Sequence, residues 1–282
     1  MTKHYAVIGD PIAHSLSPVM QNAGFRAAGL DADYSAIHVK HDGLGRFVKK
    51  AKAELAGFNV TVPHKNAIIP FLDEISENAK LCGSVNTVTV ADGKLKGDST
   101  DGYGLETALR ESFNIGVEGN SFCFLGCGGA ARAAAFYFAS KKPRRILFIN
   151  RTLSKADELA SEISKAFQGV EVGACSPQDD ALVKEFLEES KVLIQCTSLG
   201  LNPDDPPPID LDIIPEKTCL YETIYKKTAL LKYAEITGLP NADGRSMLLH
   251  QGAKSFSIWT GANAPVEAMR EALYEAVEAR DK

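Results

Sequence analysis

From Gly126 the chain reads Gly-Cys-Gly-Gly-Ala-Ala, a fit to G-x-G-x-x-G with alanine in the third place. The glycines permit a tight turn and close backbone approach, and a helix opening there offers unpaired N–H groups to a pyrophosphate. Alone, the pattern is weak. Here the apolar run Phe122–Leu125 precedes it and an alanine-rich stretch follows it, the strand–turn–helix context that a dinucleotide loop requires. Gly126, Gly128, Gly129 and Ala130 are therefore the candidate phosphate contacts. Further on, where an acidic residue would bind the ribose 2′-hydroxyl of NAD, the chain has Asn150-Arg151-Thr152. A carboxylate there would repel a 2′-phosphate, whereas a guanidinium and a hydroxyl can bond one. Lys155 is near enough in sequence to add charge, and the cofactor predicted is NADP.

Four polar constellations interrupt the N-terminal third: Ser15-Leu16-Ser17-Pro18, Asn59 to Lys65 with Thr61 between them, Ser84-Val85-Asn86-Thr87, and Asp98-Ser99-Thr100-Asp101-Gly102. Each also has a plain structural reading. Ser17 before Pro18 can cap a helix with proline in its first turn. Asn59 and Thr61 can be the outward face of a strand, Asn86 part of an exposed hairpin, and Asp101 the cap of a helix beginning near Gly102. What points to chemistry is their joint occurrence beside a dinucleotide fold.

The elements that must position these residues fall into two grammars. Up to about residue 100, short apolar runs predict strands at Tyr5–Gly9, Tyr34–Val39, Phe58–Val62 and Val85–Val90, with helices at Pro18–Ala28 and Gly43–Ala53. Asp92-Gly93 between two extended runs predicts a tight hairpin turn. From Ser121 onward, strands and helices alternate regularly, with strands at Phe122–Leu125, Ile146–Ile149, Val170–Gly173, Val192–Gln195 and Cys219–Glu222, and a helix at Ser154–Phe167. Such alternation with buried apolar strands predicts a parallel, doubly wound sheet. The fold class is α/β: an N-terminal α/β substrate domain over residues 1–102, a Rossmann-like NADP domain over 103–243, and C-terminal helices over 244–282 returning to the first. Hinges are expected at Asp101–Gly104 and Asp243–Arg245.

Composition narrows the class further. The net charge of −5 comes without a long basic run, whereas nucleic-acid binding needs a concentrated positive face. The densest basic cluster, Lys141–Arg145, reads as a solvated turn ahead of a strand. No segment approaches the roughly 18 apolar residues of a membrane helix, and the apolar run near the N-terminus is too short for a signal peptide. The six cysteines lack metal-ligand spacing. The expectation is a cytoplasmic, metal-free protein with reduced thiols and a small-molecule substrate, not bound to membrane or nucleic acid, and either monomeric or homodimeric.

These motifs resemble those of the shikimate dehydrogenase family, which includes shikimate and quinate dehydrogenases, along almost the whole chain. The likeness is carried by Ser15–Pro18, Asn59–Lys65, Ser84–Thr87, Gly97–Gly104, Gly126–Arg132, Asn150–Thr152 and Gly244–Gly261. It implies the reversible NADP-dependent conversion of 3-dehydroshikimate to shikimate, a step of aromatic amino-acid biosynthesis. It also implies that Ser15 and Ser17 bind the substrate carboxylate, and that Thr61, Asn86, Asp101 and Gln251 hold ring hydroxyls, with Asn59 in the same site. Lys65 and Asp101 would be the catalytic pair, Tyr225 would stand near substrate and nicotinamide, and Thr197 would stand on the cofactor side. The chemistry agrees, because hydride delivery to a ketone builds negative charge on oxygen and calls for a cationic proton donor beside it. Desolvation and a helix starting after Pro63 would lower the pKa of such a lysine, and a nearby aspartate would raise it. His64 is read as pointing away from Lys65, and Trp259 as packing the C-terminal helix.

Three segments depart from the family. Ser99 stands where an asparagine is usual. Glu222 to Thr228 has glutamate for aspartate, no proline after Tyr225, and a Tyr-to-Thr spacing two residues shorter. Gln195-Cys196-Thr197 replaces Asn-Ala-Thr. The rival readings are a quinate or aminoshikimate dehydrogenase, a slow paralogue, and a non-catalytic metabolite-sensing module.

Overall fold

The computed structural model describes residues 1–202 and 204–280. The chain forms two compact units, Met1–Gly104 together with the segment from Leu248 on, and Leu105–Met247.

The first unit is built on a six-stranded mixed sheet. Its strands are β1 (Lys3–Gly9), β2 (Ala32–His38), β3 (Gly57–Val60), β4 (Glu74–Ile75), β5 (Thr87–Ala91) and β6 (Lys94–Asp98), in the order β2-β1-β3-β5-β6-β4. β1 pairs in parallel with β2 and β3, whereas β5 runs antiparallel to β3 and β6. The two-residue period of β1 divides the core. Ala6 and Ile8 pack with Val48, Phe58 and Val88, while Tyr5 and Val7 pack with Phe25, Phe256 and Trp259. Helices α1 (Ser17–Ala27), α2 (Leu44–Glu54), α3 (Glu77–Cys82) and α4 (Asp101–Phe113) follow in sequence. The predicted hairpin turn is present, with Asp92 and Gly93 both at positive φ (51° and 71°), the conformation that suits the strand twist.

Strand bounds shift by up to two residues at β2 and β5, and two further expectations change. The third strand ends at Val60 rather than Val62, because the chain turns at Thr61, whose carbonyl accepts the His64 N–H. No helix follows Pro63: residues 61–68 make turns and only a short 3-10 segment, Ile69–Phe71, comes after them.

The second unit carries β7 (Ser121–Leu125), β8 (Arg145–Ile149), β9 (Glu171–Cys175), β10 (Val192–Gln195), β11 (Cys219–Glu222) and β12 (Asn241–Ala242) in the order β12-β11-β10-β7-β8-β9. Every pair is parallel. The connecting helices are α5 (Gly129–Ala139), α6 (Leu153–Ala166), α7 (Asp180–Glu189) and α8 (Ala229–Thr237). This is the doubly wound topology, and the strand order reverses between β7 and β10, where ligands bind at the carboxyl ends of such strands. α9 (Arg245–Thr260) and α10 (Val266–Glu278) complete the chain. The predicted C-terminal helical region is thus two helices, separated at Gly261 with its φ of 71°. Trp259 packs against Tyr5 and donates its indole N–H to the Val88 carbonyl at 3.0 Å, so it binds the helix to the sheet.

Candidate active site

Within the first unit, Lys65 follows the turn after β3 and Asp101 opens α4. The turn is held in place by the Lys65 carbonyl, which accepts the Val85 N–H at 2.9 Å. An acidic residue in the first helical turn complements the helix dipole. Lys65 Nζ donates to Asp101 Oδ2 at 2.5 Å, with the lysine side chain 16% and the aspartate side chain 6% exposed. The other carboxylate oxygen, Oδ1, accepts from Asn86 Nδ2 at 2.8 Å. A carboxylate gripped on both oxygens fixes the direction of the ammonium group, and the lysine keeps two N–H donors for a ligand.

Asn86 is the hub of this arrangement. Its Nδ2 also faces Thr100 Oγ1 and Gln251 Oε1, while its Oδ1 accepts from the Thr100 N–H at 2.8 Å and from the Thr87 hydroxyl. It is buried beside the Thr87 that starts β5, so the exposed-hairpin alternative for Asn86 does not hold. Behind it lies a layer of buried polar side chains. Asn59 Nδ2 donates to the Asn86 carbonyl, Thr87 Oγ1 and Ser255 Oγ, and Asn59 Oδ1 accepts from the Tyr34 hydroxyl at 2.6 Å. Asn59 thus commits its amide to the protein, as Asn86 does with its own. Burial pushes the Tyr34 hydroxyl pKa well up, which keeps it a donor.

The other candidates of this unit fall around the same elements. Thr61, at the end of β3, is half-buried and its hydroxyl bonds no described residue. Gln251 on α9 accepts from Asn86 and donates to the Leu248 carbonyl. Ser17 begins α1 without capping it; the Ser17 N–H instead donates to Ser15 Oγ at 3.3 Å, so the two serines bracket the helix start. His64 is fully buried, its Nε2 at 2.6 Å from the Val39 carbonyl, and it stands apart from the lysine chemistry. Ser99 is buried with its hydroxyl unbonded, and only its backbone is engaged.

In the second unit the loop after β7 has the form a dinucleotide requires. Gly126 adopts φ +94°, and a Cβ there would stand 2.9 Å from the Thr197 methyl, so only glycine fits. At Gly128 and Gly129 a Cβ would meet nothing within 4 Å: the space above the loop is open. Gly128 is the N-cap of α5 and offers no side-chain cap, so the N–H groups of Gly129, Ala130 and Ala131 remain to be satisfied by a ligand. These residues fit a pyrophosphate. After β8, Arg151, Thr152 and Lys155 are exposed, and among the described residues neither basic side chain is ion-paired. Asn150 closes its own turn by donating to the Thr152 carbonyl at 2.8 Å. Thr197 Oγ1 accepts from Gln195 Nε2 and the Leu199 N–H, leaving only its hydroxyl proton to donate. Burial lifts the Cys127 thiol to about 12, so it is not a nucleophile. Tyr225 lies half-buried in the loop after β11.

Sequence reasoning missed Tyr34, Thr87, Thr100 and Ser255 as supports of the site. Ser255 had a signal, since it stands four residues after Gln251 on one helix face. Tyr34 had none, because an aromatic in a strand reads as core.

A parallel doubly wound unit with an uncapped glycine loop, joined in one chain to a unit with a buried Lys–Asp pair, defines a dinucleotide-dependent oxidoreductase. Residues 7–88 match the family model of the shikimate dehydrogenase substrate binding domain, residues 108–200 that of shikimate / quinate 5-dehydrogenase, and residues 244–274 that of the shikimate 5'-dehydrogenase C-terminal domain. The chain is 39% identical to the shikimate dehydrogenase (NADP(+)) of Methanopyrus kandleri, over 97% of this chain and 96% of that one. It is 41% identical to the enzyme of the same name from Desulfitobacterium hafniense, over 98% and 99%. A crystal structure of shikimate 5-dehydrogenase from Thermus thermophilus in complex with NADP(H) and shikimate superposes with a TM-score of 0.86 at 32% identity, covering 97% of this chain and 99% of that one. The chain belongs to the shikimate dehydrogenase family.

Proposed function

We propose that the chain catalyses the reversible, NADP-dependent reduction of 3-dehydroshikimate to shikimate, with Lys65 and Asp101 as the acid/base pair. The observation that carries this assignment of roles is the Lys65–Asp101–Asn86 chain, in which a nearly buried carboxylate fixes an ammonium group while the lysine retains free donors. The cofactor, when bound, would supply the hydride as NADPH in reduction and take it as NADP+ in oxidation. Lys65 gives the proton from Nζ to the ketone oxygen as negative charge develops there, and the ammonium stabilises that charge. In the reverse direction neutral Nζ takes the hydroxyl proton. Asp101 orients Nζ and accepts from a neighbouring ring hydroxyl. Thr61, Asn86 and Gln251 bond the remaining hydroxyls, and Ser15 and Ser17 bond the carboxylate through neutral donors, a grip weaker than an arginine clamp. Tyr225 is assigned to the substrate and nicotinamide, as the family resemblance implies. Gly126, Gly128, Gly129 and Ala130 hold the pyrophosphate through backbone N–H groups; Arg151, Thr152 and Lys155 hold the 2′-phosphate.

We place the protein in the cytoplasm, as a monomer or homodimer; separately, among the described residues no helix is long and apolar enough to cross a membrane. The test is the initial rate of oxidation of shikimate and of quinate, each with NADP and with NAD. Fast turnover of shikimate with NADP is expected. Preference for quinate overturns the substrate, preference for NAD overturns the role of Arg151, and no turnover in any combination overturns the assignment as an enzyme of this reaction.

A further inference from the structure

The carboxyl ends of β10 and β11 carry a second buried polar assembly, centred on Glu222. This residue is wholly buried at the last position of β11. Its Oε1 accepts the Ile224 N–H at 3.1 Å and its Oε2 accepts the Thr228 hydroxyl at 2.9 Å. The two oxygens therefore bind the two ends of the segment Thr223–Thr228, with Tyr225 between them. Thr228 passes the constraint on, since its Oγ1 also caps α8 by accepting the Leu231 N–H. The first end is fastened twice, because Thr223 donates both its N–H and its hydroxyl to the Gln195 carbonyl at the end of β10.

This segment touches the loop that touches the phosphate loop. A Cβ at Gly200 would lie 2.6 Å from the Thr228 methyl, so residues 196–202 approach Thr228 closely at Gly200. At their other end, Thr197 is the residue that forbids a Cβ at Gly126. Glu222 is thereby connected through Thr228, Gly200 and Thr197 to the glycine turn after β7. The Glu222 side chain is long enough to reach both ends of the loop between β11 and α8.

We propose that Glu222 is a positioning residue that, by binding Ile224 and Thr228 with its two carboxylate oxygens, holds the Tyr225 segment and the 196–202 loop in the form that accepts the dinucleotide. The proposal rests on the reading of this unit as the NADP seat. It makes cofactor affinity depend on the charge of Glu222. Burial pushes its carboxyl up to about 7, with hydrogen bonds from Ile224, Thr228 and the Thr223 backbone opposing and Asp243 adding to the rise. Asp243 has its own charge paired with Arg245, and the nearby Cys196 thiol is pushed up by burial and stays neutral. Lys226 and Lys227 point elsewhere, to the Leu201 carbonyl and Glu235, so no cation among the described residues pairs with Glu222. Ionised, it accepts two charge-assisted bonds; protonated, it must donate to Thr228 and both bonds become neutral ones.

The experiment is fluorescence titration of the full-length protein with NADPH at about pH 6 and about pH 8, for the wild type, Glu222→Gln and Glu222→Asp, with KM for NADP and kcat beside it. The 2′-phosphate itself titrates near pH 6, and it does so in all three proteins, so the quantity read is the ratio of variant to wild-type Kd. Glutamine keeps both partners through neutral bonds; its ratio is expected to be about five at the higher pH and to fall to about one at the lower. Aspartate, one methylene shorter, reaches one partner only, and it raises Kd at both pH values. A Gln ratio that does not change with pH overturns the proposal, and so does an Asp variant that folds and binds like the wild type. A wild type that binds no NADPH overturns instead the reading of the site beneath it.

Discussion

Tyr34→Phe removes one oxygen from the floor of the active site and nothing else. The Tyr34 hydroxyl is buried and gives a 2.6 Å hydrogen bond to Asn59 Oδ1, for which no second donor is present among the described residues. Phenylalanine fills the same volume less one atom, so the cavity cost is small. What remains is the loss of a net hydrogen bond together with a buried acceptor left unpaired, roughly 2 kcal/mol within a range of about 1–3. In a unit of this size that corresponds to a fall in Tm of roughly 4–8 °C. Because burial holds the Tyr34 hydroxyl well above its ordinary value of 10, the loss is the same at every pH from about 6 to 9. Urea unfolding of wild type and variant across that range measures it. The double variant with Asn59→Leu measures the pairing itself, with a coupling of about 1 kcal/mol or more expected for groups in direct contact. A cost below about 0.5 kcal/mol, or zero coupling, refutes the reasoning, since it means that Asn59 Oδ1 finds another donor.

Three further outcomes are expected. Lys65→Ala abolishes turnover and leaves NADPH binding by fluorescence unchanged; near-normal kcat removes the proton donor from the mechanism. Arg151→Ala raises KM for NADP by about tenfold and leaves KM for NAD alone, as loss of one charge-assisted bond to phosphate predicts, and an unchanged NADP/NAD ratio takes Arg151 out of the 2′-phosphate site. Glu222→Gln changes stability with pH in a defined sense. The folded-state value of about 7 exceeds the ordinary 4.5, so the wild type loses stability as pH rises between them, by roughly 3 kcal/mol in total. The variant therefore gains on the wild type from about pH 5 to about pH 8 in urea midpoints, and a pH-independent difference contradicts a buried, titrating carboxyl.

The fold was legible where one physical signal dominated. Fully buried strands such as Val192–Gln195 and Cys219–Glu222 are unbroken apolar runs ended by polar residues, and both were placed without error. The Asp92-Gly93 turn was legible because few residue pairs accept two consecutive positive φ values. α7 is not among the predicted helices although Asp179 caps it through a bond from the Leu182 N–H and it buries Val183, Phe186 and Leu187. β4 and β12, two residues each, have no periodicity to read. The helix expected after Pro63 fails for a tertiary reason: the turn is held by Thr61, Lys65 and Val85, and local propensity does not decide it.

The site was legible in its parts and not in its layers. Residue types singled out the segments that hold Lys65, Asn86 and Asp101, but their roles came only through a resemblance, because pairing across the fold leaves no trace in local spacing: Lys65 and Asp101 are joined by the sheet and by the start of α4. The distinction between a side chain that faces a ligand and one that supports it was beyond the sequence altogether. Asn59 lies on β3 and Asn86 just before β5, and both spend their amides within the protein, Asn59 on Tyr34, Thr87 and Ser255 and Asn86 on Thr87, Thr100, Asp101 and Gln251. Asn86 reaches the carboxylate of the Lys65–Asp101 pair and Asn59 lies behind Asn86, and Ser255, which bonds both Asn59 and Thr87, enters from the far end of the chain. The glycine loop was legible for the opposite reason. Its function lies in backbone N–H groups, and backbone demands at a tight turn are written directly in residue type.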